Sequence, residues 1–440
     1  MKDLSKFQVI VMAFFAGFII LGVFTFATFK GGGNNNEVNV TIWGVIPESV
    51  MTKFFETDTF VSQIGQYNHI HYVEKDKDMI GQDFLTSIAD GSAPDLLLIP
   101  QDMILSEEKR LQPISYKTIP QRSFQDGYVD EARLLLRDNG VIGIPFVIDP
   151  LVMYWNRSLY TSSGVANPPK YWDEFYNLTK NNNLKDDSGN IKKTFVALGG
   201  YTNIKNAKEI LSAMLIQSGT PIVSFSNGTY VPLIHLSKSD RDASISALRY
   251  YTDFADPAKE IYSWNRGMVN SERAFTEEKL ATYFGFAGEL DSIRAKNPNL
   301  NFDVTTIPQI RDSKSISTYG KLISFVIPKN ATPAQVVSDI SIINILTSDE
   351  SLKKMTEISY LPPVKRNLLV GNPNDAYLDI FNKSALIANA WYDPSEKETD
   401  LLFKDMVESV ASGKDSPESA AVSAQGQLEI LIKNLTSKKN

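Results

Sequence analysis

Residues Phe7 to Phe29 form a 23-residue run without a charge, and Gln8 is its only strongly polar member. As a helix it would be roughly 35 Å long, enough to cross a hydrocarbon core of about 30 Å. A cleaved signal peptide usually has an apolar region of only about 7–15 residues, followed by a small-x-small site. The run is longer than that, and "TFATFKGGG" offers no Ala-x-Ala. It therefore reads as a retained signal anchor. Lys2 and Lys6 precede it and Lys30 follows. The positive-inside bias then places residues 1–6 in the cytoplasm and the body outside, as a single-pass protein of the cell membrane. Residues 30–37 ("KGGGNNNE") read as a flexible linker. Gly31 to Glu37 reach at most about 25 Å, which keeps the body close to the membrane.

The chain has 440 residues, more than one compact core usually spans, so two lobes are expected. Net charge is −7, and the N-terminal segment contributes lysines, so the body is more acidic still. An acidic body without a basic run does not suit nucleic acid. There is no cysteine. That excludes disulfides, thiol nucleophiles, thiolate metal sites and a lipid-acylated Cys.

Val38–Trp43 alternates and is rich in β-branched residues, and His69–Val73 reads as a second strand. Leu96–Ile99 is a continuous apolar run of the kind buried in a parallel sheet. Helical spacing in Val50–Phe60 and Gly81–Ala89 separates these strands, which implies an open α/β sheet. Thr332-Pro-Ala-Gln335 has the form of a capping box, and Ser416-Pro417 opens a C-terminal helix.

No catalytic motif is complete: there is no G-x-S-x-G, H-E-x-x-H or P-loop. His69 and His71 share a strand face, but no third ligand stands at metal spacing. No metal or cofactor is expected. The 5 Trp, 18 Tyr and 24 Phe are suggestive. A sugar site needs flat rings for C–H faces, with carboxylates and amides for the hydroxyl rim.

Gly143–Asn156 ("GIPFVIDPLVMYWN"), followed by "RSLYTSSGVANPPKYWDEF", resembles the extracellular solute-binding proteins of ABC sugar importers. Pro145, Asp149, Tyr154, Asn156, Gly164, Pro168, Pro169, Trp172 and Glu174 carry the likeness. "GSAPDLLLIPQDMI", "VALGGYTNIKNAKEILSAMLIQSGTPIV", "YSWNRGMVNSERAFTEEKLATYFGFAGEL", "LPPVKRNLL" and "ANAWYDP" follow the family's order. Glu278 stands where the family has glycine. The resemblance implies a two-lobed periplasmic-binding-protein-like α/β fold with a hinge. Residues 38–146 plus 311–348 would form the first lobe, and 150–307 plus 349–440 the second.

Position by position, the resemblance implies that Asp102 and Asp149 accept sugar hydroxyls, with Gln101 as an amide contact. Tyr201 and Phe286 would be rings facing the cleft, and Trp391 a ring stacking on the sugar. Trp43, Trp264, Glu289 and Tyr319 are further candidates, while Trp155 and Trp172 are assigned to packing. The implied function is capture of a sugar or oligosaccharide for delivery to the permease subunits of an ABC importer, without catalysis. Two alternatives stay open. A glycoside-acting enzyme would need two carboxylates about 5–10 Å apart around the bond. A ligand sensor would need a separate membrane partner.

Overall fold

The computed structural model describes residues 39–64, 69–226, 228–235, 241–313, 316–371 and 373–437. The N-terminal segment, anchor and linker assigned to 1–37 lie outside these residues. Among the described residues, no helix is long and apolar enough to cross a membrane.

Strand β1 (Asn39–Gly44) lies between β2 (His69–Glu74) and β3 (Leu96–Pro100), parallel to both. All five residues of β3 are buried, as a strand covered on both faces requires. Helices at Glu48–Phe55, Asp58–Ile64 and Ile80–Asp90 make the crossovers. The expected single helix over 50–60 is thus two short ones. The capping box forms as read: Thr332 and Gln335 cap each other at the start of helix Pro333–Leu346.

Strand β4 (Ile144–Asn156) is 13 residues long and serves two lobes. Strands β5 (Ile191–Val196), β6 (Leu280–Phe286), β7 (Phe302–Thr306) and β8 (Thr318–Pro328) are the other long members of an 11-stranded sheet. The first half of β4 pairs with β8, the second half with β6 and β7, all antiparallel. The order is β2-β1-β3-β8-β4-β6-β5, with β7 on β4. Val147 and Ile148 belong to one hydrophobic core, Leu151 and Val152 to another. On β8, Tyr319 lies in the second core and Leu322 in the first. The chain therefore changes lobe at Asp149–Pro150 and again near Gly320.

Residues 349–440, expected together in the second lobe, divide between the cores. Leu352, Met355 and Val364 pack in the first, whereas Phe403 and Leu428 pack in the second. Asn156 ends β4 by accepting from Leu159 N at 2.9 Å, which caps the next helix and explains the Tyr-x-Asn pattern.

Candidate binding cleft between the lobes

From the first lobe, β3 delivers Gln101 and Asp102 to the crossover. Gln101 Oε1 accepts from Leu322 N at 2.7 Å and its Nε2 donates to Gly320 O at 3.2 Å. The amide thus completes the backbone of β8 where that strand leaves the first core. Asp102 Oδ2 lies 2.9 Å from Lys77 Nζ, and its buried Oδ1 has no partner. Lys77 also reaches Glu396 Oε1 of the second lobe at 2.6 Å. Burial works against the Lys77 ammonium, but the carboxylates of Asp102 and Glu396 hold its pKa above the usual lysine value.

From the second lobe, helix Ala207–Gln217 brings Lys208 and Glu209. It starts at Asn206, which takes φ 62, a left-handed conformation that Asn tolerates. Lys208 Nζ donates to Asp393 Oδ2 at 2.6 Å and Thr399 Oγ1 at 2.7 Å, and lies 5.4 Å from the Trp391 ring centre. Glu209 Oε1 lies 3.1 Å from Lys321 Nζ. Lys321 Nζ also stands 4.0 Å over the Phe286 ring, which meets Tyr319 edge-on at 6.5 Å.

Asp149 is half-buried and accepts from Gly288 N at 2.9 Å. Burial pushes its pKa up to about 7, against the pull of the Gly288 N–H and the Lys321 charge. Glu131 is fully buried, and neither carboxyl oxygen has a hydrogen-bond partner. The Leu322 N–H favours its charged form but is itself committed to Gln101. Burial, with a smaller push from Asp102, raises the Glu131 pKa to about 8. Glycine is needed at 320 because a Cβ there would stand 1.9 Å from Glu131 Oε2.

Six of the ten residues expected at the site meet around this crossover: Gln101, Asp102, Asp149, Phe286, Tyr319 and Trp391. Trp391 is enclosed, however, at 2% exposure, and stacks on Phe403 at 6.0 Å with its Nε1 unpartnered. Glu289 accepts from Asn206 Nδ2 and from the Tyr283 hydroxyl, within the second lobe. Trp43 lies partly exposed on the first lobe, 4.0 Å beneath Lys75 Nζ. Tyr201 donates to Asp400 Oδ1 at 2.5 Å. Trp264 is a core residue with no exposed surface, donating to Asn203 Oδ1 at 3.0 Å.

Sequence reasoning missed Lys77, Glu131, Lys208, Glu209, Lys321 and Glu396. One signal was available: Lys321 directly precedes the apolar run "LISFVIP", and Asp149 interrupts "IPFVIDPLVMYW". A cavity of about 630 Å³ opens elsewhere on the second lobe, near Trp172, Tyr250 and Ile310. It contains none of the groups that converge at the crossover. Carboxylates, an amide, ammonium groups and ring faces brought together where the lobes meet suit a solute rich in hydrogen-bonding groups.

Two lobes joined by crossover strands, with polar groups converging between them, define a solute-binding protein. The chain belongs to the bacterial extracellular solute-binding protein family, whose model matches residues 67–339. Among its relatives is the galactooligosaccharide-binding protein of Bacillus subtilis (strain 168), 22% identical over 351 residues, 77% of this chain and 78% of that one. Another is the maltooligosaccharide ABC transporter solute-binding lipoprotein of Streptococcus pneumoniae (strain ATCC BAA-255 / R6). It is 27% identical over 253 residues, 54% of this chain and 52% of that protein. The fold matches a cyclo/maltodextrin-binding protein complexed with maltotetraose: TM-score 0.69, 18% identity, 92% of this chain and 99% of that one. It also matches the cyclic alpha-maltosyl-1,6-maltose binding protein from Arthrobacter globiformis: TM-score 0.70, 14% identity, 91% of this chain and 100% of that one. The two-lobed periplasmic-binding-protein-like fold is thereby established. Family membership makes the chain a binding protein, not an enzyme.

Proposed function

We propose that this protein captures a sugar or oligosaccharide between its lobes and delivers it to an ABC importer while tethered outside the cell by residues 7–29. The convergence of Asp102, Asp149, Gln101, Phe286 and Tyr319 at the lobe crossover carries this reading. Carboxylates and an amide suit sugar hydroxyls, and rings suit the C–H faces. The relatives named for galactooligosaccharides and maltooligosaccharides support the ligand class. Lys77, paired with Glu396, and Lys321, paired with Glu209, join the site as groups whose ion pairs tie the lobes together and exchange for ligand contacts, and Lys208 lines the second-lobe side through its pair with Asp393. The uncharged run flanked by Lys2 and Lys6 supports the tether.

A thermal-shift screen against malto- and galacto-oligosaccharides tests the ligand class. A ligand that binds only the native state stabilises it by about 2.7 kcal/mol at a hundred times its Kd. One of these sugars raises the melting temperature in a concentration-dependent way. A flat response across both series contradicts the reading. Intact mass of membrane-extracted protein tests the tether, and a mature N-terminus beyond Thr25 contradicts it.

A further inference from the structure

A second contact between the lobes uses none of the cleft groups. Arg137 belongs to the first lobe, beside Leu135 and Val141 of its core. Its Nε donates to Glu108 Oε1, and its Nη1 donates to Leu134 O at 2.9 Å and Leu136 O at 2.8 Å. Tyr116 Oη donates to Arg137 O at 2.6 Å. Every hydrogen bond that orients the guanidinium therefore comes from the first lobe.

The second lobe contributes ring faces. Phe225 and Tyr392 each lie 5.8 Å from the guanidinium carbon. Phe225 and Tyr230 stand on the hairpin Val223–Ser226 and Thr229–Pro232, and both rings pack with Tyr392. Tyr230 Oη donates to Glu108 Oε2 at 3.1 Å, and the hairpin turn at Gly228 faces Asp138 Oδ2. Phe225, Tyr230 and Tyr392 all pack with the second core.

We propose that Arg137 is a positioning residue for solute capture: a latch, seated in an aromatic cage of the other lobe, that sets the balance between open and closed lobes. Separation of the lobes breaks the cation–ring contacts, the Tyr230–Glu108 bond and the 3.4 Å bond from Tyr392 Oη to Arg133 O. It leaves the Arg137 hydrogen bonds intact, so the latch releases without exposing an unpaired buried charge. A flat guanidinium against desolvated rings gives an attraction with no need for further hydrogen bonds. Weakening the latch lowers the closed population and the apparent affinity with it.

This inference rests on the reading that the lobes close on a solute, but its first test needs no ligand. The chain has no cysteine, so Val61→Cys and Val422→Cys place one spin label on each lobe at exposed positions. Interlobe distances are measured on the full chain in detergent, without sugar. Phe225→Leu with Tyr392→Leu leaves the first lobe untouched and lowers the closed-to-open ratio about tenfold, equivalent to about 1.4 kcal/mol. Tyr392→Phe keeps the ring, loses only the long 3.4 Å hydroxyl bond to Arg133 O, and stays close to the parent distribution. Arg137→Lys, which keeps the charge and loses the flat face, gives an intermediate shift. With maltotriose as probe, the double variant has a dissociation rate about tenfold higher and an unchanged association rate. Unchanged distances in both the double variant and Arg137→Lys overturn the latch. Shifted distances without sugar binding support the latch and contradict only the sugar reading.

Discussion

Lys321 stands opposite Asp149 in the register of the two strands that join the lobes. Each puts an ionisable group into an otherwise apolar strand, at the step where the chain passes between cores. Such a group is costly to enclose unless it finds a partner or a solute. Lys321 finds Glu209, which with Asp102 keeps its pKa raised against burial. Asp149 has the Gly288 N–H, and burial still leaves it near 7.

Glu131 makes stability depend on pH. Its folded pKa of about 8 lies above the ordinary carboxylate value. Its contribution is therefore fully present below about pH 4 and is lost as pH rises through 8. Glu131→Gln removes this loss. The variant gains roughly 2–4 kcal/mol over the parent at pH 8 and little at pH 5. Urea unfolding at the two pH values measures the gap, and parallel stability profiles contradict the assignment.

Trp391 packs inside the second core. Its ring is enclosed against Phe403, and its Nε1 makes no hydrogen bond. Trp391→Ala opens a large hole and costs about 3–5 kcal/mol. An exposed stacking platform would lose almost nothing on the same change. Denaturant midpoints of parent and variant separate the two cases.

Lys77 is the cation that Asp102 depends on. Lys77→Met strips the partner from a carboxylate whose side chain is only 7% exposed. Removing one partner of a buried pair costs about 3–5 kcal/mol, and the 31% exposure of Lys77 reduces this to about 1–2 kcal/mol. Asp102→Asn on the Lys77→Met background restores most of the loss. A double-mutant cycle without coupling refutes the pairing.

Glu278 occupies a position better suited to glycine. It takes φ 58 at the exposed turn before β6. The left-handed conformation costs an L-residue roughly 1–2 kcal/mol, partly offset by glycine's larger loss of freedom on folding. Glu278→Gly raises stability by about 0.5–1 kcal/mol. A lower melting temperature for this variant contradicts that account.

Apolar patterning made the α/β class legible: the continuous run at Leu96–Ile99 became a fully buried strand. The motif around Pro145 and Asn156 located the crossover strand. The ion pairs Lys77–Glu396 and Lys321–Glu209 were not legible, because their members are 319 and 112 residues apart and ordinary surface charges share their spacing. The resemblance offered Trp391 as an open stacking ring, and its enclosure was not legible. Its cover comes from Phe403, about two turns into the next helix, and from Lys208 in a distant segment. Asp149 was legible because a lone charge inside an apolar strand has few explanations.

Titration calorimetry of a malto- or galacto-oligosaccharide into the parent protein and Asp149→Asn tests solute capture at the lobe crossover most directly. The account predicts one-to-one binding to the parent and a Kd at least tenfold weaker in the variant, a loss of about 1.4 kcal/mol or more. The ligand-free melting temperature of the variant at pH 8 should not fall, since a neutral amide replaces a carboxylate that burial disfavours. Equal affinity in the two proteins would place the solute elsewhere and contradict the account.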